Sequence, residues 1–242
     1  MGNVEKGQIA PVRGMAFDLE GTIVDLEAAH HAAHLRAAAD VGLNMSWDEA
    51  LERLPHFVGG PDEEVAAEMA SLVDGEVSPQ QILSAKRMHF EELLRDNGRI
   101  APREGFTDFT GWVKNLGIKM AIGTATSRIL ALRLIKEAGL LSDFNEAIIV
   151  AREDVSAPKP SPDTYCETAR RIGIPPSSQL VFEDSPIGLI SARSAGCRLV
   201  ALPTVQRPSF VERLRREGAE AVFMRWSDPA LRSFVIGVVR AG

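Results

Sequence analysis

Cysteine is scarce in this sequence, with two residues among 242. Cys166 and Cys197 lack the paired spacing that a disulfide framework, a zinc site or a redox pair would need. We therefore interpret both as small core residues.

Long apolar runs are also missing. No run reaches the roughly 18 residues that a membrane-spanning helix needs. The start of the chain, Met1 to Pro11, is polar and has no apolar signal-peptide core. We expect no membrane association and a location in the cytoplasm.

Positive charge is in deficit, because 27 Lys and Arg stand against 33 Asp and Glu, a formal net charge of -6. No global field would attract nucleic acid, and an anionic small molecule would need local positive charge. With 45% hydrophobic and 25% charged residues, the composition is that of a globular protein.

The oligomeric state does not follow from the sequence, so both a monomer and a homodimer stay open.

Short apolar runs alternate with helical patterns along much of the chain. The runs cover residues 12–18, 118–123, 147–150, 180–182 and 198–202, and the helical patterns include 128–138, 162–171 and 187–195. This alternation predicts an α/β fold, a doubly wound parallel sheet whose ligands bind beyond the carboxyl ends of the strands.

One stretch breaks the alternation, because residues 27–100 have helical periodicity and no convincing strand. We therefore expect a core domain formed by residues 1–24 and 102–242, with a helical cap domain inserted at residues 25–101.

Four motifs fall at predicted strand ends. They are Asp18-Leu19-Glu20-Gly21-Thr22, Thr124-Ala125-Thr126, Lys159-Pro160-Ser161-Pro162-Asp163 and Glu183-Asp184-Ser185. In this order, with the insert just after the first motif, they resemble the haloacid dehalogenase-like superfamily of phosphohydrolases. The resemblance covers nearly the whole chain and is to the capped branch that includes β-phosphoglucomutase and phosphoglycolate phosphatase-like proteins.

The resemblance implies a Mg2+ site and a carboxylate nucleophile. Asp18 would be the nucleophile and would ligate the metal together with Asp184. Residue 20 would contribute its backbone carbonyl, and Glu183 would assist directly or through water. Such oxygen ligands suit a hard cation, which offsets the repulsion between a phosphate dianion and an attacking carboxylate.

The phosphoryl group would be bound by the second and third motifs. The ammonium of Lys159 would contact its oxygens, together with Thr124 and Ala125. Thr124 and Thr126 lie two residues apart on the same side of an extended chain, so both could face the site. We prefer Thr124 because it directly follows the apolar run.

Position 20 departs from the family pattern, in which the second acid of the first motif is usually aspartate. That acid protonates the leaving group and then activates water. Glu20 has similar acidity, but its extra methylene displaces the carboxyl group by about 1 Å or more. Activity is expected, and a catalytically impaired binding protein stays open as an alternative.

The cap supplies three candidate substrate-binding residues, His30, His56 and Lys86. In β-phosphoglucomutase a cap arginine grips the phosphate that is not transferred, whereas this chain has Asp62 near the matching place. An acid there would repel a second phosphate, which favours hydrolysis over a mutase reaction.

The leading hypothesis is thus a Mg2+-dependent phosphatase that acts on a small phosphorylated metabolite, with sugar and polyol phosphates favoured, through an aspartyl phosphate on Asp18. A phosphosugar mutase is the alternative within enzymes.

Overall fold

The computed structural model describes residues 10–57, 60–73, 75–96 and 100–240. The polar segment at residues 1–9 therefore lies outside the described part. The chain divides into two compact units. We call Met1–Val24 with Ala101–Gly242 the core unit, and Asp25–Ile100 the helical unit.

The strands and helices of the described residues have the following bounds. The strands are β1 Gly14–Phe17, β2 Lys119–Gly123, β3 Ile149–Val150, β4 Gln179–Glu183, β5 Arg198–Ala201 and β6 Ala221–Val222. The helices are α1 Glu27–Asp40, α2 Trp47–Arg53, α3 Asp62–Ser71, α4 Pro79–Asp96, α5 Phe106–Asn115, α6 Arg128–Glu137, α7 Asp163–Ile172, α8 Pro186–Ser194, α9 Pro208–Arg216 and α10 Pro229–Arg240. Short 3-10 turns cover Glu146–Ile148, Arg152–Asp154 and Pro176–Ser178.

The six strands found in the described residues form one sheet in the order β3-β2-β1-β4-β5-β6. Every strand pairing in it is parallel. Because the strands are joined through helices and β1 lies in the middle of the order, the sheet is doubly wound. The predicted α/β fold is confirmed.

The register brings the strand ends together. Phe17, the last residue of β1, is opposite Ile122 of β2 and Phe182 of β4. The residue after Phe17, Asp18, donates its backbone N–H to the carbonyl of Phe182 over 3.0 Å. The motifs that follow β1, β2 and β4 therefore lie at one edge of the sheet.

Two elements were not predicted, and one strand is shorter than predicted. Helix α5 has its buried residues Phe106, Phe109 and Val113 at helical spacing, so its signal is present in the sequence. Strand β6 has only two residues, too few for a periodic pattern. The strand predicted at residues 147–150 is reduced to β3, because the chain before Ile149 forms a 3-10 turn.

An aromatic cluster lies beneath the end of β1. The ring of Phe17 stacks on Phe182 with centroids 5.2 Å apart and meets Phe106 edge-on at 5.4 Å. Trp226 closes the cluster, and its indole N–H donates to the carbonyl of Thr22 over 3.0 Å. Aromatic pairs of this kind each add about 0.5–1.5 kcal/mol of stability beyond that from the area they bury. The cluster therefore stabilises the end of β1, from which the loop begins.

The helical unit has its own core. Buried residues from its helices form one cluster that includes Ala37, Leu54, Val65, Met69 and Ile82. Helix α2 begins with a capping box, in which the hydroxyl of Ser46 accepts from the backbone of Glu49 and the Glu49 carboxylate accepts from the backbone of Ser46. This unit therefore packs around apolar contacts of its own.

Within the described part of the chain, no helix combines the length and apolarity needed to cross a membrane. The interpretation of both cysteines as core residues is wrong for Cys166, which is exposed, whereas Cys197 is partly buried. Cys166 lies on α7, whose inner face is occupied by Tyr165 and Ala169.

Candidate active site

Three carboxylates converge at the carboxyl ends of β1 and β4. Asp18, Glu183 and Asp184 are all buried, and one oxygen from each lies within 4.8 Å of the others. Burial raises the pKa of Asp18 to about 7, with Lys159 opposing the rise and the charge of Glu183 adding to it. A buried group of three acids needs positive charge, and its hard oxygen donors fit a divalent cation of the Mg2+ type.

Lys159 supplies positive charge from the protein itself. Its buried ammonium donates to Asp18 Oδ1 over 2.5 Å and to Glu183 Oε1 over 2.6 Å. Burial would lower the pKa of Lys159, but the charges of Asp18 and Glu183 outweigh burial and hold this pKa above its usual range. Lys159 is therefore a fixed cation beside the candidate nucleophile.

Glu183 is anchored on both of its oxygens. Oε1 accepts from the hydroxyl of Tyr165 over 2.5 Å as well as from Lys159. Oε2 accepts from the backbone of Asp184 over 3.2 Å and from the hydroxyl of Ser185 over 3.2 Å. Sequence reasoning missed Tyr165, which lies in α7 only six residues after Lys159. Glu183 thus aligns Lys159 in addition to contributing to the acidic cluster.

Two threonines after β2 form a hydrogen-bonded chain that ends on Glu20. The hydroxyl of Thr124 donates to that of Thr126 over 3.0 Å, and the hydroxyl of Thr126 donates to Glu20 Oε1. Thr124 is buried, while the neighbouring Ala125 is exposed. The sequence predicts both threonines on one side of the chain but gives no sign of the contact between Thr126 and Glu20.

Side-chain hydrogen bonds fix the loop after β1. The guanidinium of Arg103 donates to the carbonyls of Gly21 over 2.5 Å and Leu202 over 2.6 Å. The hydroxyl of Thr22 donates to Asp184 Oδ1 over 3.4 Å. The Arg103 bonds therefore tie the first motif to the residue after β5, and the Thr22 bond ties it to the fourth motif.

Gly21 leaves the space that Asp184 occupies. It has a φ of +80°, and a Cβ atom built on it would lie 2.1 Å from Asp184 Oδ2.

We expect Gly21→Ala to lower the free energy of unfolding and to displace Asp184, with loss of most activity. Gly139→Ala is the matched control, because Gly139 has a φ of +75° with nothing near its missing Cβ. Backbone strain alone costs about 1 kcal/mol at either site. Equal activities of the two variants, measured beside their melting temperatures, would contradict this role of Gly21.

The helical unit contains a second polar cluster. Lys86 is buried and donates to Asp62 Oδ2 over 2.6 Å, and its ammonium lies 2.9 Å from His30 Nδ1. Asp62 also lies 3.3 Å from His34. Burial would raise the pKa of Asp62, but its hydrogen bonds and the charges of Lys86 and His34 hold it below its usual range. Asp62 is therefore ionised but compensated by Lys86, so its predicted repulsion of a second phosphate is weaker.

A recess of about 150 Å³ adjoins this cluster, lined by Glu27, His30, His31, His34, Phe57, Gly60 and Asp62. His56 has different partners from those of Lys86. Its ring nitrogens lie 2.5 Å from Glu68 and 2.8 Å from Glu64. The substrate-binding roles of His30, His56 and Lys86 stay predictions.

Known proteins carry the same architecture. A sequence profile described as haloacid dehalogenase-like hydrolase matches residues 15–202. Similar relatives include the protein CbbY of Rhodobacter capsulatus, with 30% identity over 80% of this chain and 86% of the relative. Two relatives from Escherichia coli K12 are named for a phosphatase activity. Fructose-1-phosphate phosphatase YqaB is 28% identical over 76% of this chain and 92% of its own length. Hexitol phosphatase A is 31% identical over 78% and 82%.

Solved structures agree with this assignment. A haloacid dehalogenase family hydrolase from Deinococcus radiodurans, with bound phosphate and sodium, superposes with a TM-score of 0.74 and 26% identity, covering 95% of this chain and 97% of that one. A point mutant of CbbY from Rhodobacter sphaeroides, in complex with xylulose-(1,5)bisphosphate, gives a TM-score of 0.66 and 26% identity over 90% of this chain and 96% of that one. Several relatives are named as phosphatases. The chain therefore belongs to the haloacid dehalogenase-like hydrolase family and is a hydrolase of the phosphatase type.

Proposed function

We propose that the protein is a Mg2+-dependent phosphatase that hydrolyses a small sugar or polyol phosphate through an aspartyl phosphate on Asp18. The observation that carries the proposal is the buried group of Asp18, Glu183 and Asp184, with Lys159 bonded to two of its members. The proposal is supported because Asp18, as the nucleophile, would lie beside a fixed cation and an acidic group suited to a metal.

In the first half of the reaction, the hydroxyl of Thr124 turns from Thr126 to the phosphoryl group and binds its non-bridging oxygens together with Lys159. An oxygen of Asp18 forms a bond to phosphorus while the bond to the leaving alcohol breaks. Glu20 gives its proton to the leaving oxygen, so that the product departs as a neutral alcohol. Mg2+, held by Asp18, Asp184 and the backbone carbonyl of residue 20 with help from Glu183, would neutralise charge on the transferring group.

In the second half, Glu20 takes a proton from water as the water oxygen bonds to phosphorus. The bond from phosphorus to Asp18 breaks, which releases inorganic phosphate and restores the carboxylate. Glu20 ends protonated, as it began. The same two side chains therefore serve both halves of the reaction.

The substrate class rests on the relatives. Their names specify fructose 1-phosphate and hexitol phosphates, a phosphorylated sugar and phosphorylated polyols. A mutase is the second candidate, since the pairing of Asp62 with Lys86 weakens the predicted repulsion of a second phosphate and a relative binds a sugar bisphosphate.

The test is a phosphate-release screen over sugar, polyol and nucleotide monophosphates, with Mg2+ and with EDTA. We expect release from sugar or polyol phosphates that stops in EDTA. Incubation with β-glucose 1-phosphate and a bisphosphate activator separates the mutase, because isomerised sugar phosphate would then form in place of free phosphate. Absence of release across the whole panel would favour a binding protein.

Metal binding has its own readout in thermal stability. At a Mg2+ concentration 100 times its Kd, the folded state gains about 2.7 kcal/mol. For a chain of this size the melting temperature should therefore rise by about 5–10 °C over that in EDTA. Asp184→Asn should abolish the rise, whereas Asp108→Asn, at an exposed position of α5, should keep it. An undiminished rise in Asp184→Asn would place the metal elsewhere.

A further inference from the structure

Glu20 and Thr126 meet although they are 106 residues apart in sequence. The hydroxyl of Thr126 donates to Glu20 Oε1. Its oxygen in turn accepts from the hydroxyl of Thr124. A hydroxyl group has one hydrogen, and in this arrangement the hydrogen of Thr126 is committed to the carboxylate.

The position of Thr126 is set by its backbone. Its N–H donates to the hydroxyl of Thr124 over 3.1 Å, and its carbonyl accepts from the backbone of Arg152 over 3.0 Å. The end of β2 is fixed in turn, because the backbone of Thr124 donates to the carbonyl of Val150 over 2.9 Å. The hydroxyl therefore projects from a firmly held turn.

We propose that Thr126 is a positioning residue for Glu20, and that the longer acid at position 20 and this hydroxyl work as a pair. The inference rests on the proposed phosphatase function. An aspartate on the same backbone would be shorter by one carbon–carbon bond, about 1.5 Å, and would not reach Thr126. The glutamate reaches it, and the hydrogen bond restricts a side chain that has one more rotatable bond than aspartate.

This role predicts a dependence on the leaving group. A general acid must lie within hydrogen-bond reach of the atom it protonates, so a loosened Glu20 slows reactions that need its proton. An alkyl phosphate, such as a polyol phosphate, expels an alkoxide and needs the proton. p-Nitrophenyl phosphate expels a stable phenolate and needs it far less.

The first experiment compares Thr126→Val with the wild type on both kinds of substrate. We compare kcat/KM, because it reports the steps up to transfer of the phosphoryl group to Asp18 and not the later hydrolysis, in which Glu20 acts as the base whatever the leaving group was. We expect kcat/KM for the best alkyl phosphate to fall about ten-fold and kcat/KM for p-nitrophenyl phosphate to stay within about two-fold. Thr126→Ser should restore the alkyl rate. Thr110→Val, which removes a buried hydroxyl bonded to the Thr107 carbonyl over 3.1 Å in α5, should change neither rate.

The second experiment is a double-mutant cycle with Glu20→Asp. In the Glu20→Asp background, Thr126→Val should change the alkyl rate less than about two-fold, since the shorter acid does not reach the hydroxyl. An equal loss of kcat/KM on both substrates, or an unchanged cost in the Glu20→Asp background, would overturn the proposal. Either result would mean that Thr126 acts on phosphoryl binding or on the fold, and a matching rise in the inhibition constant of inorganic phosphate would identify the former.

Failure of the phosphatase function can be told apart from failure of this inference. If the wild type releases phosphate from no monoester, the proposed function is wrong, and crystal structures of the wild type and of Thr126→Val then decide the positioning role. A carboxyl group of Glu20 that moves in the variant supports the role, and one that stays in place overturns it.

Discussion

Asp18→Asn should lower turnover by at least about 1,000-fold, because an amide oxygen is a poor nucleophile toward phosphorus. The fold should survive the change. Asparagine has nearly the same shape as aspartate, and its carbonyl can still accept from the ammonium of Lys159. Burial of a neutral amide also costs less than burial of a carboxylate.

Two measurements together check this expectation. Steady-state phosphate release gives the loss of activity, while the melting temperature and circular dichroism show whether the variant is folded. Asp108→Asn, the same chemical change at an exposed position, is the control and should be fully active. A covalently bound phosphoryl group, seen by mass spectrometry after rapid acid quenching, should appear in the wild type and be missing in Asp18→Asn. Retention of more than a tenth of the activity would assign the nucleophile elsewhere.

The sheet and its acids could be predicted because both follow from local patterns. Apolar runs that end at Asp18, Thr124 and Glu183 indicate buried parallel strands, and such strands end at one edge of a sheet. The pairing of Phe17 with Ile122 and Phe182 has this arrangement. The closeness of the acids therefore follows from the strand pattern alone.

The missed features depend on side-chain packing, which periodicity does not encode. The contact from Thr126 to Glu20 requires a side chain of one particular length and rotamer. The contact of Tyr165 with Glu183 requires knowledge of which face of α7 meets β4. Compensation of Asp62 by Lys86 joins residues 24 apart on two helices. In each case the type of residue was evident from the sequence, but its partner was not.

Lys159→Met should lower both stability and activity. The change removes the ammonium group, which is the positive member of the buried ion bridge from Lys159 to Asp18 and Glu183. Methionine keeps the length and apolar volume of the lysine stem. Loss of one partner from a buried ion pair costs about 3–5 kcal/mol, because the remaining charge is left uncompensated. Loss of a preorganised cation that binds the transferring phosphoryl group should lower kcat/KM by at least about 100-fold.

Lys114→Met is the control for the loss of an ion pair. Lys114 donates to Asp143 over 2.6 Å, but its side chain is 55% exposed, so the change should cost less than about 1 kcal/mol and leave activity intact. Lys159→Met combined with Glu183→Gln separates the two effects in the active site. The double variant removes a buried carboxylate charge, so it should regain part of the stability lost in Lys159→Met while staying inactive. Recovery of activity together with stability would mean that Lys159 serves the fold alone, and that phosphoryl binding depends on other groups.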